Sequence, residues 1–534
     1  MSSNVNPAAK PGAFSPFRFQ AFVLLWGATL VSNIGTWMHE VGAGWLMTEL
    51  NPSPAIVTLV QAATTLPVFL FALFAGTLAD RVDKRWMLIV INVALVAIIS
   101  ALTLLVWQQQ MTPLLLILFT FAVGTGAAFM APAWQAVVPQ LVPRENLKPA
   151  IALNSMGINI SRAIGPAIAG FLIASVGLAA PFALNAVSHV LIVIALLMWR
   201  APAQAAKHHG PLFADMRIGI RHVRHNPPLI ATLVRALAFF VFASAYWSLL
   251  PLIARNADGG GEELYGLMLA LIGTGAVAGA LLLPRFQGRF SSDAMVQVGT
   301  FGTIFALLIL AFTNQALALM AAAFLGGLSW IAVLTSFHVS AQLALPDWVR
   351  ARGLAVFLMV FFGSMALGSV IWGQLATATT ITTALIIAAV GLGLGWLVTR
   401  GFAVGLGENL DLTPASAWPD APSISEGMEA ANNRPAMVRV EYHIAKDDLS
   451  AFLEAVRSLS KERYRDGASR WSLYQNVEDE TIWIESFELP SWAEHLAQHK
   501  QMTKQDADLQ ATVRAFDIRK NGPTVRHYLS HHTI

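Results

Sequence analysis

Long apolar segments recur along this chain and limit what it can fold into. Twelve runs of about 20 residues lie between residues 18 and 402, separated by short polar breaks. About 20 apolar residues in a helix cross a hydrocarbon core of ~30 Å. The sequence therefore predicts an all-α membrane protein region with twelve transmembrane helices. The runs lie near 18–46, 55–79, 86–107, 113–137, 150–176, 181–200, 229–254, 264–284, 294–313, 316–343, 353–376 and 381–402.

The longest break between these runs falls in the middle of the series. It extends from Ala201 to Pro228 and separates six runs from six. Two six-helix halves that move against each other around a central site are the usual plan of secondary transporters. We therefore divide the region into an N-terminal six-helix half (1–200), a central cytoplasmic loop (201–228) and a C-terminal six-helix half (229–402).

The chain changes character after the last apolar run. Only 12% of all residues are charged, yet the last 100 residues hold 13 of the 34 Lys and Arg and 15 of the 31 Asp and Glu. Such a charge density is typical of a water-soluble domain. We predict a flexible linker (403–434) and a cytoplasmic α+β domain (435–534) with the order β-α-β-β-α-β of a ferredoxin-like fold. Its predicted strands are 438–444, 471–477, 481–487 and 525–529, and its helices are 447–464 and one that Ser491 and Glu494 begin as a capping box.

The basic residues of the breaks predict the orientation in the membrane. Lys and Arg cluster in the breaks after even-numbered runs, whereas the opposite breaks carry only Arg255. Positively charged loops remain on the cytoplasmic side. We therefore expect a multi-pass protein of the bacterial cytoplasmic (inner) membrane with both termini in the cytoplasm. The chain has no cysteine, which excludes disulfides and thiolate chemistry. It also lacks a GxxxxGK[ST] phosphate loop, and we expect no nucleic-acid partner.

A charged turn follows the second run: Gly76-Thr-Leu-Ala-Asp80-Arg81-Val-Asp-Lys84-Arg85. A glycine at this place permits close contact between helices, and the basic residues anchor the turn at the cytoplasmic surface. A positively charged loop alone would not explain the acid within the cluster. Asp80 can face a helix N-terminus or pair with an arginine of another loop, and the role that Gly76, Asp80, Arg81, Lys84 and Arg85 share as a conformational latch is implied by the family resemblance given below.

Several polar side chains occur inside apolar runs. Arg162 lies in the middle of the fifth run, and Glu40 is the acid placed deep in the first. A charge at the bilayer centre costs at least ~2.5–3.5 kcal/mol, so such residues usually have a function. We predict a translocation path, although for the residues other than Glu40 and Arg162 a structural hydrogen bond is an equal alternative. The path residues are Asn33, Glu40, Asn154, Arg162 and Arg235.

Small residues and one proline share the fifth run with Arg162. Ser161, Gly165 and Gly170 follow at helical spacing, and Pro166 lies among them. Small faces let helices approach closely, and proline frees a carbonyl group of the preceding turn. We predict that Ser161, Gly165, Pro166 and Gly170 form a helix-packing motif, with ordinary small-residue packing as the alternative.

These features together resemble the major facilitator superfamily over about residues 15–402. In that family the charged turn acts as a latch, which here implies contact between Asp80 and the start of the eleventh run near Arg350 and Arg352. The fifth run is similar to the family's antiporter motif, whereas Thr120 occupies the place of its intramembrane arginine. Residues 32–38 with 154–166 resemble the enterobactin-exporter (transmembrane secretion effector) branch. The resemblance implies export of a small amphipathic metabolite such as a siderophore or drug.

The C-terminal segment resembles antibiotic-biosynthesis-monooxygenase-like domains, which form dimeric ferredoxin-like barrels. His495 and His499 lie four residues apart on one predicted helix, but the sequence offers no third ligand in register, so no metal and no cofactor is predicted. We predict a transporter rather than an enzyme, whose partners are a small-molecule substrate, the lipid bilayer, a coupling ion with the proton as candidate, and a second copy through this domain. Two alternatives stay open: a membrane-tethered oxygenase and a transporter-like ligand sensor.

Overall fold

The structure of the chain is a computed structural model that describes residues 12–200, 212–287, 289–415, 432 and 434–531. Within these residues, twelve helices are long and apolar enough to cross a membrane, as predicted. The seventh of these spans (Pro227–Asn256) is interrupted near residue 249 and therefore consists of a long helix followed by a short one. The helices of the membrane region are α1 (Gln20–Leu50), α2 (Pro54–Arg81), α3 (Lys84–Trp107), α4 (Pro113–Val137), α5 (Leu147–Ser175), α6 (Ala179–Met198), α8 (Pro227–Ser248), α9 (Leu250–Asn256), α10 (Glu262–Gln287), α11 (Ser292–Phe312), α12 (Ala316–Leu343), α13 (Arg350–Ala378) and α14 (Ile381–Thr399).

Short polar turns set the ends of these helices. The Asp83 carboxylate accepts a hydrogen bond from the backbone N–H of Trp86 at 2.9 Å and caps the start of α3. Thr112 caps α4 in the same way, through the N–H of Leu115. Proline at the first positions of α2 and α4 suits helix starts, where an N–H would have no helical partner. Pro251 explains in the same way why the seventh predicted run divides into α8 and α9.

The central loop predicted for 201–228 contains a helix that the sequence analysis did not identify. Helix α7 (Leu212–Arg224) has Arg217, Arg221 and Arg224 on a strongly amphipathic sequence. Residues 213–232 and 339–356 group with the C-terminal domain as one compact unit, while most of the membrane helices form the other. Inside the unit that contains the C-terminal domain, the Arg221 guanidinium lies 3.5 Å from the Glu494 carboxylate.

The C-terminal domain is a four-stranded antiparallel sheet with helices. Its strand order is β2-β3-β1-β4, and Val438 of β1 pairs with Phe487 of β3 and His527 of β4. Alternate residues of β1 are buried, and they pack with Phe452, Val456 and Leu459 of α15 in one apolar core. The elements are β1 (Ala436–His443), α15 (Leu449–Arg465), β2 (Arg470–Gln475), β3 (Ile482–Leu489), α16 (Trp492–Gln501), α17 (Lys504–Arg514) and β4 (Thr524–Leu529).

Two details of this domain differ from the sequence analysis. Helix α17 was not predicted, so the order is β-α-β-β-α-α-β. Ser491 does cap α16 through the N–H of Glu494 at 3.1 Å, but the Glu494 carboxylate faces Arg221 instead of completing a capping box. The capping box forms at the start of α17, between Thr503 and Asp506.

Part of the predicted linker is described. Residues 411 and 413 accept backbone hydrogen bonds from Gln505 and Lys504, at 3.1 and 2.9 Å, and the N–H of Ala415 donates to Met502 at 2.9 Å. This stretch therefore runs along the start of α17. Residues 416–431 and 433 of the predicted linker lie outside the described residues.

Candidate functional site

Glu40 and Arg162 come close to each other in the middle of the membrane region. Glu40 is on α1 and Arg162 on α5, and each side chain is half-buried rather than fully enclosed. Their charges interact, but no direct ion pair joins them among the described residues. The guanidinium carbon of Arg162 lies 5.3 Å from the centroid of the Trp37 ring, a cation–π contact. Among the described residues, the buried Nε of Arg162 has no hydrogen-bond partner.

Helix α10 adds an aromatic wall to this pair. Tyr265 lies close enough to Glu40 for an electrostatic interaction. Its ring stacks on Trp45 of α1 with centroids 6.2 Å apart. Sequence analysis missed Tyr265, although it is one of six tyrosines in the chain and lies in an apolar run. The cluster of Trp37, Glu40, Arg162 and Tyr265, called the central site below, thus takes residues from both halves.

The predicted packing motif lies where α5 meets α1 and α10. Ser161 donates a hydrogen bond to the carbonyl of Leu30 on α1 at 3.2 Å. A Cβ built on Gly165 would lie 2.7 Å from the Cβ of Trp37, and one on Gly170 would lie 3.0 Å from the Glu262 carbonyl oxygen. A side chain at Gly165 would force its neighbour to shift, and one at Gly170 would be tighter than most real Cβ contacts. Gly165 thus sets the distance between α5 and α1, and Gly170 sets that between α5 and α10.

Pro166 has a specific effect at this seam between the halves. Because Pro166 has no N–H, the carbonyl of Arg162, four residues earlier, loses its helical partner. That carbonyl faces α10, where a Cβ built on Gly273 would lie 2.7 Å from its oxygen. One turn further on, a Cβ on Gly266 would lie 2.7 Å from the Pro166 carbonyl oxygen. The backbones of α5 and α10 are therefore in direct contact beside the central site.

A second seam joins α2 and α13. The N–H of Ala55 donates to the Thr377 hydroxyl at 2.9 Å, and Gly373 lies against Thr58. A Cβ built on Gly363 would lie 2.6 Å from the Phe69 ring. Ala55 and Thr377 are at the ends of their helices next to the α1–α2 loop. Both seams are therefore closed from mid-helix to that side of the molecule.

The predicted latch is described only in part. The side chain of Asp80 lies outside the described residues. Gly76 was expected to permit close helix contact, and this is wrong for the described residues, since a Cβ there would have nothing within 4 Å. Arg85 donates to the carbonyls of Leu196 and Leu197 at 2.7 and 2.9 Å and so caps the end of α6. Arg81 and Lys84 both make further polar contacts.

The remaining predicted path residues have other neighbours. Arg235 is buried on α8, where it lies 3.3 Å from the Asp293 carboxylate of α11 and donates to the Thr399 carbonyl of α14 at 3.4 Å. The Asn154 side-chain oxygen accepts from the Trp134 indole at 3.3 Å. Asn33 is half-buried on α1. Arg235 thus joins three helices of the C-terminal half and is not part of the central site.

The C-terminal domain contains a fully satisfied charged network. The Glu485 carboxylate accepts hydrogen bonds from Arg463 at 3.1 Å, Trp471 at 3.0 Å and Tyr442 at 2.9 Å. Arg463 also lies over the Phe487 ring, 4.6 Å from its centroid. Burial raises the pKa of Tyr442, and the adjacent Glu485 raises it further, so the hydroxyl stays protonated as a donor.

The fold and the central site define a class of protein: a twelve-helix membrane transporter whose two halves meet at a polar site. The sequence matches the transmembrane secretion effector family over residues 11–533, and the chain belongs to this family. The matched range includes the C-terminal domain. The family and the relatives below are transporters and not enzymes, which confirms the prediction that this chain is no enzyme.

Two characterised relatives and one solved structure illustrate the similarity. The chain is 23% identical over 339 residues to the staphyloferrin A transporter of Staphylococcus aureus, covering 63% of this chain and 85% of the relative. It is 27% identical over 269 residues to macrolide efflux protein A of Streptococcus pyogenes, covering 50% and 66%. Its fold is similar to the crystal structure of a bacterial homologue of the human lysosomal transporter Spinster, with a TM-score of 0.57, 15% identity and coverage of 72% and 97%.

Proposed function

We propose that this protein exports a small amphipathic metabolite, of the siderophore or macrolide type, across the bacterial cytoplasmic membrane. The observation that supports this most is the central site. An acid and a base interact in the middle of apolar helices, no direct ion pair joins them among the described residues, and the aromatic rings of Trp37 and Tyr265 flank them. Aromatic surfaces suit an apolar body, and the two charges suit the polar groups that an amphipathic molecule carries.

The two seams between the halves support alternating access as the mechanism of export. With the termini on the cytoplasmic side, as the basic loops predict, the closed ends of the α5–α10 and α2–α13 seams face outward. A substrate would enter the central site from the cytoplasm. Opening of the glycine contacts and closure of the other side would then release it outside.

We propose the proton as the coupling ion, with Glu40 as the group that carries it. A carboxylate within reach of Arg162 can hold its charge when the site is empty and lose it by protonation when the substrate or the conformation changes. Proton-driven export requires that a pH gradient accelerate efflux and that Glu40→Gln abolish this acceleration.

The test is export by the purified chain in liposomes, with staphyloferrin A and a macrolide as substrates. We expect Glu40→Gln and Arg162→Ala each to lower the rate at least tenfold, since each removes a charge of the central site. Glu49→Gln is the matched control, because Glu49 is on the same helix but exposed and hydrogen-bonded to Trp45 at 2.9 Å. Substrate binding by the wild type without any transport would favour the sensor alternative instead.

Asp80 is the residue that we propose as the centre of a latch for the closed cytoplasmic side. The acid is the penultimate residue of α2 and stands in the sequence among the basic residues of the turn. Asp80→Asn should leave insertion intact and reduce export at least tenfold. Glu145→Gln, in an exposed turn between α4 and α5, is the control. Export at the wild-type rate by Asp80→Asn would contradict the latch.

We also propose that the C-terminal domain is a ferredoxin-like module through which two copies associate. Its strand order matches that fold, and the sheet face opposite the helices leaves Tyr474 and Tyr528 exposed. Tyr474→Glu combined with Tyr528→Glu should convert dimers to monomers in light scattering of the detergent-solubilised chain. An unchanged mass would refute association through this face.

A further inference from the structure

Three histidines of the C-terminal domain converge although they come from distant parts of the sequence. His495 and His499 are one turn apart on α16, and His527 is on β4, on the same side of the sheet as the apolar core. The sequence offered no third ligand in register for His495 and His499, whereas the fold brings His527 beside them. The His527 ring lies 4.9 Å from the His495 ring and 5.8 Å from that of Trp492, centroid to centroid.

The geometry of the three rings suits a metal ion. One ring nitrogen from each histidine can be chosen so that all three lie within 4.8 Å of one another. The Nε2 atoms of His495 and His499 are 3.2 Å apart. Tetrahedral zinc with Zn–N bonds of 2.0–2.1 Å requires nitrogen atoms about 3.3 Å apart, so this pair already has the spacing of two ligands. A small rotation of the half-buried His527 ring would complete three.

We propose that His495, His499 and His527 form a site for Zn²⁺ or a similar late first-row divalent cation, with a fourth position open to water or a small ligand. Three imidazoles with one open position are an established ligand set for zinc. The cation would join α16 to β4 and thereby fix a helix to the edge strand of the sheet.

The surroundings of the cluster support this assignment. The buried Gln498 lies next to His495 and can accept a hydrogen bond from its other ring nitrogen, which orients a ligating imidazole. Arg463, the nearby cation, is paired with Glu485.

The proposal is independent of the central site and of the exported substrate. It assigns a metal to the C-terminal domain, which lies after the twelve candidate membrane helices in the sequence. The chain has no cysteine, so any tight site for a late divalent cation must use histidine and carboxylate ligands.

The test is zinc binding by the full chain in detergent, with any purification tag removed and after treatment with EDTA. We expect one Zn²⁺ per chain by elemental analysis after gel filtration, and a higher unfolding temperature with zinc than without. Co²⁺ in place of zinc should give the visible absorption of a site of low coordination number. His499→Gln and His527→Gln, both at half-buried positions, should weaken binding at least tenfold.

His443→Gln is the matched control, because His443 is a half-buried histidine of the same sheet outside the cluster. It should bind zinc as the wild type does. His495→Ala removes a fully buried ring and can perturb packing. The variants at the half-buried His499 and His527 therefore decide the test. Equal zinc binding by the wild type and by the double variant of His499 and His527, or no stoichiometric zinc in the wild type, would overturn the proposal.

Discussion

The membrane region and the C-terminal domain each place an acid near an arginine, but the surroundings of the two pairs differ. In the C-terminal domain the Glu485 carboxylate is fully enclosed and accepts hydrogen bonds from Arg463 and two aromatic side chains. In the membrane region Glu40 and Arg162 are half-buried neighbours without a direct ion pair among the described residues. The carboxylate of the first pair is thus bonded to its arginine, whereas that of the second pair is not.

This difference separates a structural role from a functional one. A buried ion pair is stable only when its polar atoms are all bonded, and removing one partner then costs about 3–5 kcal/mol. A charge left partly unbonded in an apolar region lowers stability, and it persists where it serves a ligand or an ion. The C-terminal pair should therefore control folding, and the membrane pair should control transport.

The largest expected effect comes from replacing each acid by glutamine and measuring both domain stability and export in each variant. Glu485→Gln should destabilise the C-terminal domain by about 3 kcal/mol, because it leaves the Arg463 charge buried without its partner. Glu40→Gln should change the stability of the chain little while it abolishes export. Hydrogen exchange of peptides from β1 and β3, measured beside export in liposomes, separates the two outcomes. A stable C-terminal domain in Glu485→Gln would remove the contrast.

An exposed pair of the same domain provides the control. Lys446 and Glu480 lie 3.0 Å apart, but their side chains are 77% and 70% exposed. Exposed pairs add little because water solvates both charges. Glu480→Gln should therefore leave the hydrogen exchange of the domain unchanged.

The sequence could predict the charged residues inside the membrane helices, but not the contacts that the fold makes between distant residues. Twelve spans, the C-terminal domain, Glu40 and Arg162 were all recognisable, because a charge inside an apolar run contrasts with its own neighbours. Tyr265 and His527 were not, since the residues that each contacts in the fold are more than thirty positions away in the chain. The amphipathic helix α7 was missed because it lies in a polar break, and α17 because polar residues predominate in it.

Gly266 tests the seam beside the central site. Gly266→Ala places a methyl group 2.7 Å from the Pro166 carbonyl oxygen and 2.9 Å from the Gly170 Cα, so α5 and α10 must separate. We expect export to fall several-fold, because the closed state of the seam becomes strained. Gly27→Ala on α1 is the control, since a Cβ there meets nothing within 4 Å. Equal export by both variants would show that close contact at this seam is not needed.

Glu462 offers the most specific test. It asks whether hydrogen bonding of the carboxylate, rather than its burial, distinguishes the acids of the two regions. Glu462 is a buried acid of the C-terminal domain whose carboxylate accepts one hydrogen bond, from Gln510 at 3.0 Å. Burial and the neighbouring Asp506 and Asp466 together raise the pKa of Glu462 to about 8, against the opposite effect of Arg463 and Arg465. The folded domain therefore holds a proton that the unfolded chain, with a pKa near 4.5, has released. Since the folded state binds more protons, its stability must fall as the pH rises from about 4.5 to about 8.

Glu462→Gln keeps the acceptor for Gln510 and removes the ionisable group. Because the glutamine cannot ionise, we expect the variant to be more stable than the wild type at pH 8.5 and close to it near pH 5. Hydrogen exchange of α15 peptides at the two pH values measures this. Glu454→Gln, on the exposed face of the same helix, is the control and should show no such pH dependence. A wild-type domain whose stability rises between pH 5 and 8.5 would mean that Glu462 is ionised and bonded as Glu485 is, and the two acids would then belong to one class.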